Sequence, residues 1–244
     1  MSNATLATQL ATDLRALANP EKAAFFPQFF QAFPGGYGEG DCFLGVTVPN
    51  IRTVAKNYSN LDRSQLLGCL RSPWHECRMA GLFVLLRQFE LAKKQPVERQ
   101  AIVDFYIEQL DYVNNWDLVD CSAYKILGVH LVSNPQQSRI LHELAKSKHL
   151  WRERVAVVAT LAQIRSGEYT DLLQLAEKFL THRHDLIHKA VGWMLREMGQ
   201  RNETILRAFL DQYAFRMPRT MLRYALEKFE PLDRQRYLKL TGGR

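Results

Sequence analysis

The sequence predicts an all-α protein: a right-handed α-solenoid of HEAT-like helical pairs with a concave basic groove. Three observations predict it. Apolar residues recur at three- and four-residue spacing in Met79-Leu82-Phe83-Leu86, Val119-Ala123-Ile126-Leu127, Val155-Val158-Ala159-Ala162 and Ala190-Val191-Met194-Leu195, which is the period of a helix with one buried face. Runs of β-branched residues with two-residue alternation are scarce. The second helix of each pair is expected to begin near Trp74, Trp116, Trp151 and Ile187, a spacing of roughly 35–42 residues that fits stacked two-helix repeats.

The elements follow in order. Asn19-Pro20-Glu21, Ser72-Pro73 and Asn134-Pro135 each place a capping residue before a proline, the expected start of a helix, because the first turn needs no proline N–H. Pro34-Gly35-Gly36-Tyr37-Gly38-Glu39-Gly40-Asp41 is the one clear irregular segment, since its glycines carry a helix only at an entropic cost. It is expected to be an ordered loop. The whole chain, 1–244, is expected to be a single domain, with an N-terminal helical cap and Gly-rich loop over 1–45 and stacked helical pairs over 46–240.

Bulk composition bounds the function. The 244 residues are 47% apolar and 23% charged, ordinary for a globular protein and enough for a substantial core. No stretch reaches the ~18 apolar residues of a membrane span. Met1–Leu10 lacks a basic segment followed by an apolar core, so no signal peptide is expected. Cys42, Cys69, Cys77 and Cys121 form no CxxC pair; they read as free buried thiols in a reducing cytosol. The net charge is +7 and the sequence pI about 9.3. Arg52, Lys56, Arg78, Lys148, Arg152, Arg154, Lys189 and Arg196 are spread through helical stretches rather than gathered in one run. That distribution describes a folded basic surface with an anionic partner, nucleic acid first among them.

Two segments carry chemistry. In Asn114-Asn115-Trp116-Asp117-Leu118-Val119-Asp120, Trp116 and Asp120 are four apart and share a helix face. In His188-Lys189-Ala190-Val191-Gly192-Trp193-Met194-Leu195-Arg196, Trp193 and Arg196 are three apart. Two indole plates, one acid and nearby arginines in a basic helical protein fit a site that grips a cationic sugar-like group on a polyanion. Taken singly, each residue has a plainer role. Trp116, Trp193, Trp74 and Trp151 suit core anchors, Asp120 a first-turn acid on the helix dipole, and Asp117 an N-cap. Arg154 and Arg196 suit ion pairs with Glu153 or Glu197 on a solvated face, and His188 a surface position.

At these residues the chain resembles the AlkD family of DNA alkylation repair glycosylases. The resemblance rests on Phe43-Leu44-Gly45-Val46 with Pro49-Asn50-Ile51-Arg52, on Trp116-Asp117-Leu118-Val119-Asp120, on Leu150-Trp151-Arg152-Glu153-Arg154, and on Lys189 through Glu197. It implies a HEAT-like solenoid that removes positively charged N3- and N7-alkylated purines from duplex DNA. Asp120 then matches the catalytic acid, Trp116 and Trp193 the aromatic pair, Arg154 the catalytic-site arginine, and Arg52 an arginine that contacts the DNA backbone. Lys189 and Arg196 join Arg52 as expected DNA contacts. No cofactor, metal, membrane or obligate protein partner is implied, and the expected location is cytoplasmic, at the nucleoid when acting. Thr47-Val48 departs from the polar pair of the family pattern, in a region expected to face the strand opposite the lesion.

The implied chemistry is self-consistent. A cationic purine leaves as a neutral base, so one carboxylate suffices where glycosidases use two. Asp120 would stabilise the oxocarbenium-like deoxyribose and orient water. Each indole face would favour the developing cation by ~0.5–2 kcal/mol. Arg154 would hold a flanking phosphate and keep Asp120 ionised. The resemblance implies capture without full base extrusion and without a base pocket. No lysine stands in the acid–aromatic segment, so a monofunctional glycosylase is expected. The alternatives are a non-catalytic HEAT-repeat DNA-binding module and a protein-interaction scaffold.

Overall fold

The computed structural model describes residues 5–240. Among them every regular element is helical; Cys42 and Trp74 make one isolated bridge. The chain divides into two compact units, Met1–Ser122 and Ala123–Arg244.

The first unit contains α1 (Leu6–Ala16), α2 (Pro20–Phe29), α3 (Val48–Lys56), α4 (Arg63–Leu70), α5 (His75–Leu91), α6 (Pro96–Glu108) and α7 (Trp116–Ser122). α5 is its centre: 13 of its 17 residues are buried, on every face, with α3, α4, α6 and α7 packed around it. A helix covered on all sides has no polar face to offer solvent, which is why Met79–Leu86 is almost purely apolar. Caps fix where the outer helices start. The Asn19 side chain accepts the Lys22 N–H at 2.9 Å, as expected from Asn19-Pro20. Asp62 and Gln65 form a reciprocal capping box at α4, a device worth ~1 kcal/mol.

The second unit contains α8 (Val129–Ser133), α9 (Arg139–Leu144), α10 (Leu150–Arg165), α11 (Thr170–Lys178), α12 (Asp185–Gly199), α13 (Glu203–Tyr213), α14 (Arg219–Ala225) and α15 (Pro231–Leu240). A single π-type turn, Tyr124–Gly128, precedes α8, and the Gly128 N–H reaches the carbonyl of Ala123, five residues back. α9 packs on α10, α11 on α12, and α10 on α12. α10 is the counterpart of α5, with 13 of 16 residues buried. Gly192 lets α12 and α14 cross closely: a Cβ there would lie 2.5 Å from both the Met221 carbonyl oxygen and the Tyr224 Cβ.

Helix starts at His75, Trp116, Leu150 and Asp185 fall close to the expected Trp74, Trp116, Trp151 and Ile187. Three local expectations change. Ser72-Pro73 does not open α5, because the Pro73 carbonyl pairs with the Cys42 N–H and the Ser72 hydroxyl with the Trp74 N–H; the helix starts at His75. Asn134-Pro135 opens only a 3-10 turn before α9. Cys42 is exposed rather than buried, while Cys69 and Cys77 are buried and Cys121 is intermediate. Among the described residues no helix is long and apolar enough to cross a membrane.

Candidate functional site

In the first unit the candidate residues sit on α7. Asn115, fully buried, stands before it; its Oδ1 accepts the Trp116 N–H at 2.8 Å and its carbonyl accepts the Val119 N–H at 3.1 Å. Asn115, not Asp117, therefore organises the helix start. The Trp116 indole is half-buried. Phe30 stacks on it at 5.6 Å and 26°, and Phe29 meets it edge-on at 5.8 Å. Phe30 in turn stacks on Phe43 at 5.3 Å and lies 4.9 Å from the His75 ring. Trp116 is thus backed by an aromatic layer and retains partial solvent exposure.

Asp117 serves as an anchor. His75 Nε2 lies 2.8 Å from an Asp117 oxygen and Nδ1 lies 3.0 Å from an Asp41 oxygen. Two carboxylate partners require a hydrogen on each ring nitrogen, so His75 is an imidazolium. Burial works against that charge, but Asp117 and Asp41 outweigh it and the pKa rises to about 9; Arg78 opposes the rise. Arg78 Nη2 reaches the other Asp41 oxygen at 2.5 Å. Asp41 is held below the usual carboxylate range: burial opposes ionisation, but His75 and Arg78 more than compensate. The end of the Gly-rich loop, the first turn of α5 and the first turn of α7 are tied by one row of alternating charges. Beside it the buried Glu76 carboxylate accepts the backbone N–H groups of Leu44 at 3.0 Å, Gly45 at 2.8 Å and Val46 at 3.2 Å. Gly45 has φ +79°, and a Cβ there would lie 2.2 Å from the Asn19 carbonyl oxygen, so only glycine suits the turn.

Asp120 lies one turn beyond Trp116 and is half-buried. The α7 backbone is pinned near it. Ser122 Oγ donates to the Leu118 carbonyl at 2.6 Å, which leaves Oγ to accept the Tyr106 hydroxyl at 2.9 Å. Burial pushes the Tyr106 phenol pKa up, and the charges of Cys121 and Asp120 add to the rise.

In the second unit Trp193 is half-buried on α12, and its indole N–H points to Glu197 at 3.3 Å. Neither Trp116 nor Trp193 is packed into the interior. Trp151 is 6% exposed and belongs to the core; Trp74, expected there too, is part-exposed as the N-cap of α5. Arg154 is buried rather than on a solvated face, and donates to the Leu186 carbonyl at 2.6 Å, tying α10 to the first turn of α12. Its neighbour Glu153 pairs with His182 at 3.1 Å. Arg196 pairs with Glu227, not Glu197. Lys189 pairs with Asp185 at 2.8 Å. His188 is half-buried, not a surface residue; its Nε2 donates to the His182 carbonyl at 2.6 Å. Arg52, in the first unit, is exposed and lies over the Phe83 ring at 4.4 Å.

Sequence reasoning missed Asp41, His75, Glu76 and Phe30. A usable signal existed: His75, Glu76 and Arg78 open a helix that is otherwise apolar all round, and charges so placed must be partnered.

The family model described as DNA alkylation repair enzyme matches residues 10–229 of the chain. No curated protein matches it. A solved structure titled "Predicted DNA alkylation repair enzyme from Enterococcus faecalis" superposes with a TM-score of 0.67 at 16% identity, covering 88% of this chain and 97% of that one; at that identity the likeness is one of fold. The extent of the family match, nearly the whole chain, establishes that the protein belongs to the DNA alkylation repair enzyme family.

Proposed function

We propose that the protein is a monofunctional DNA glycosylase that hydrolyses the N-glycosidic bond of cationic N3- or N7-alkylated purines in duplex DNA. The observation that carries the reading is the α7 arrangement: an indole backed by Phe30 on one turn and a carboxylate on the next, on a short helix whose start is organised by buried Asn115 and whose first turn Asp117 ties to His75. Preorganised charge is what the reaction calls for. The purine already carries its positive charge and leaves as a neutral base, so no general acid is required. Asp120 stabilises the oxocarbenium-like deoxyribose and orients the attacking water. The Trp116 face, one turn from Asp120, holds the sugar and favours its cationic character; the second indole, Trp193, is assigned by the family resemblance. Arg154, buried and held by the Leu186 carbonyl, is assigned by the resemblance to offset the charge of the flanking phosphate. Arg52, Lys189 and Arg196 contact the DNA backbone, the last two after exchanging Asp185 and Glu227 for phosphates. No base pocket is invoked.

The test is release of free 7-methylguanine and 3-methyladenine from methylated duplex DNA by wild type and Asp120→Asn side by side. Wild type should release both bases, and Asp120→Asn should lose most turnover while still binding duplex. A wild type that binds DNA in a salt-sensitive manner but releases no base would favour the non-catalytic binding module.

A further inference from the structure

The second unit carries a cleft of about 930 Å³ that the roles above leave unused. Lys146 and Lys148 line it from the connection between α9 and α10, Lys178 from the end of α11, and Arg183 from the connection between α11 and α12. All four are exposed, and among the described residues none of their side chains makes an ion pair or hydrogen bond. This sets them apart from Arg154, Lys189 and Arg196, each of which has a protein acceptor.

The cleft holds one carboxylate against these four cations, and that carboxylate is occupied. Glu153 faces His182 Nε2 at 3.1 Å, and His182 Nδ1 accepts the His184 N–H at 3.1 Å. An Nδ1 that accepts carries no hydrogen, so His182 is the neutral tautomer with its proton on Nε2, donated to Glu153. The pair keeps a charge of minus one, and the cleft is left with three uncompensated positive charges. Lys148 adds a backbone observation: its φ is +57°, the left-handed region where glycine or asparagine is the usual occupant. A lysine is held there where the connection could have turned more cheaply.

Like charges gathered around one cleft without counterions repel, and an arriving polyanion relieves that repulsion. The lining also tells which polyanion. Of its aromatic rings, Phe179 is 2% exposed and the smaller His182 imidazole is held by Glu153 and the His184 N–H, with the Phe179 and His188 rings set at right angles to it, so the cleft offers no open Trp, Tyr or Phe plate on which a base could stack. Lysines on flexible stems act as point charges toward phosphate oxygens and read no base edge. The volume exceeds the needs of one phosphate group.

We infer that the cleft formed by Lys146, Lys148, Lys178 and Arg183 binds the phosphodiester backbone of duplex DNA, independently of sequence and of damage. The inference deepens the reading of the protein as a DNA enzyme and rests on it for the identity of the ligand. Backbone contacts of this kind position the duplex and supply affinity; they do not act on the glycosidic bond.

The experiment uses the full chain with all four residues changed to Gln, and a control in which Lys93, Lys94, Lys228 and Lys239 are changed to Gln. The control loses the same net charge at exposed positions outside the cleft. Binding of undamaged duplex is followed between about 50 and 200 mM salt, where each lost phosphate contact lowers the salt slope by ~0.9. The cleft variant should lose about two to four units of slope and about tenfold or more in affinity at low salt, the control less than one unit. Turnover at saturating methylated DNA should match wild type. Equal slopes in the two variants would overturn the inference. So would inorganic phosphate or a mononucleotide occupying the cleft, by NMR shifts at Lys148 and Arg183, with the duplex slope unchanged. Base release separates the two readings. A fallen slope with no base release by wild type leaves the cleft standing and removes the glycosylase; intact release with equal slopes does the reverse.

Discussion

Two clusters of charge, one in each unit, are handled in opposite ways. In the first, His75, Asp41, Asp117, Arg78 and Glu76 are all largely buried, and each has charged or hydrogen-bonding partners at 2.5–3.2 Å. In the second, Lys146, Lys148, Lys178 and Arg183 are exposed and, among the described residues, make no ion pair. Buried charges are tolerated only when partnered, and removing one partner strands the rest. Exposed charges cost little alone and remain available to a ligand. The first arrangement is therefore read as scaffolding for α7, the second as binding surface. Arginine occurs in both, as buried Arg78 and exposed Arg183; burial and partnering decide which role it has.

Substitutions in the two clusters should differ most in unfolding free energy at His75 and least at the exposed lysines. His75→Ala would leave the Asp41 and Asp117 carboxylates without the cation between them, and should cost of order 3–5 kcal/mol in urea unfolding. A loss no larger than that of an exposed substitution would mean the charge row is not structural. Glu76→Ala removes the acceptor of the Leu44, Gly45 and Val46 N–H groups and, with water entering the space the carboxylate leaves, should cost ~1–3 kcal/mol in the same assay. Gly192→Ala, an uncharged comparison in the second unit, forces α12 from α14 and should cost ~1–3 kcal/mol by the same assay.

The charge row also predicts a pH dependence. The His75 pKa is raised from 6.5 to about 9 in the folded state. Its stabilisation is then fully present below the unfolded value of 6.5 and is lost as pH rises through about 9. Asp41 is lowered from 3.8, so its share is present above that value and is lost as pH falls through the lower folded one. Unfolding free energy measured from neutral to alkaline pH should decline through this window in wild type, and the decline should shrink in Asp117→Asn. The smallest effect is at the surface: Lys146→Gln, Lys148→Gln, Lys178→Gln and Arg183→Gln should each change stability by less than ~0.5 kcal/mol, because among the described residues none has an ion-pair or hydrogen-bond partner to lose.

Much of the fold was legible in the sequence. Helix period and the Asn19-Pro20 cap are local signals, and the repeat spacing follows from one pair packing on the next, so α5, α7, α10 and α12 begin within about two residues of expectation. What was not legible depended on contacts distant in sequence. Asp117 reads as an N-cap until His75, 42 residues earlier, takes its carboxylate. Arg196 reads as a partner of Glu197 until Glu227 reaches it from 31 residues away. Ser72-Pro73 looks like a helix start until Cys42 claims the Pro73 carbonyl. The π-type turn at Tyr124–Gly128 has no distinct local pattern, being written in the same apolar spacing as an α-helix. For the candidate site, the positions of Trp116 and Asp120 on one short helix were readable, whereas the Phe30 backing and the buried Asn115 were not.

The proposed role of Asp120 is the electrostatic work of base release. The most direct measurement is single-turnover release of 7-methylguanine from methylated duplex by wild type and Asp120→Asn at DNA concentrations that saturate both. That role requires a rate lower by about 10²–10³ for Asp120→Asn, with duplex affinity and unfolding free energy close to wild type. Equal rates for the two proteins would contradict it.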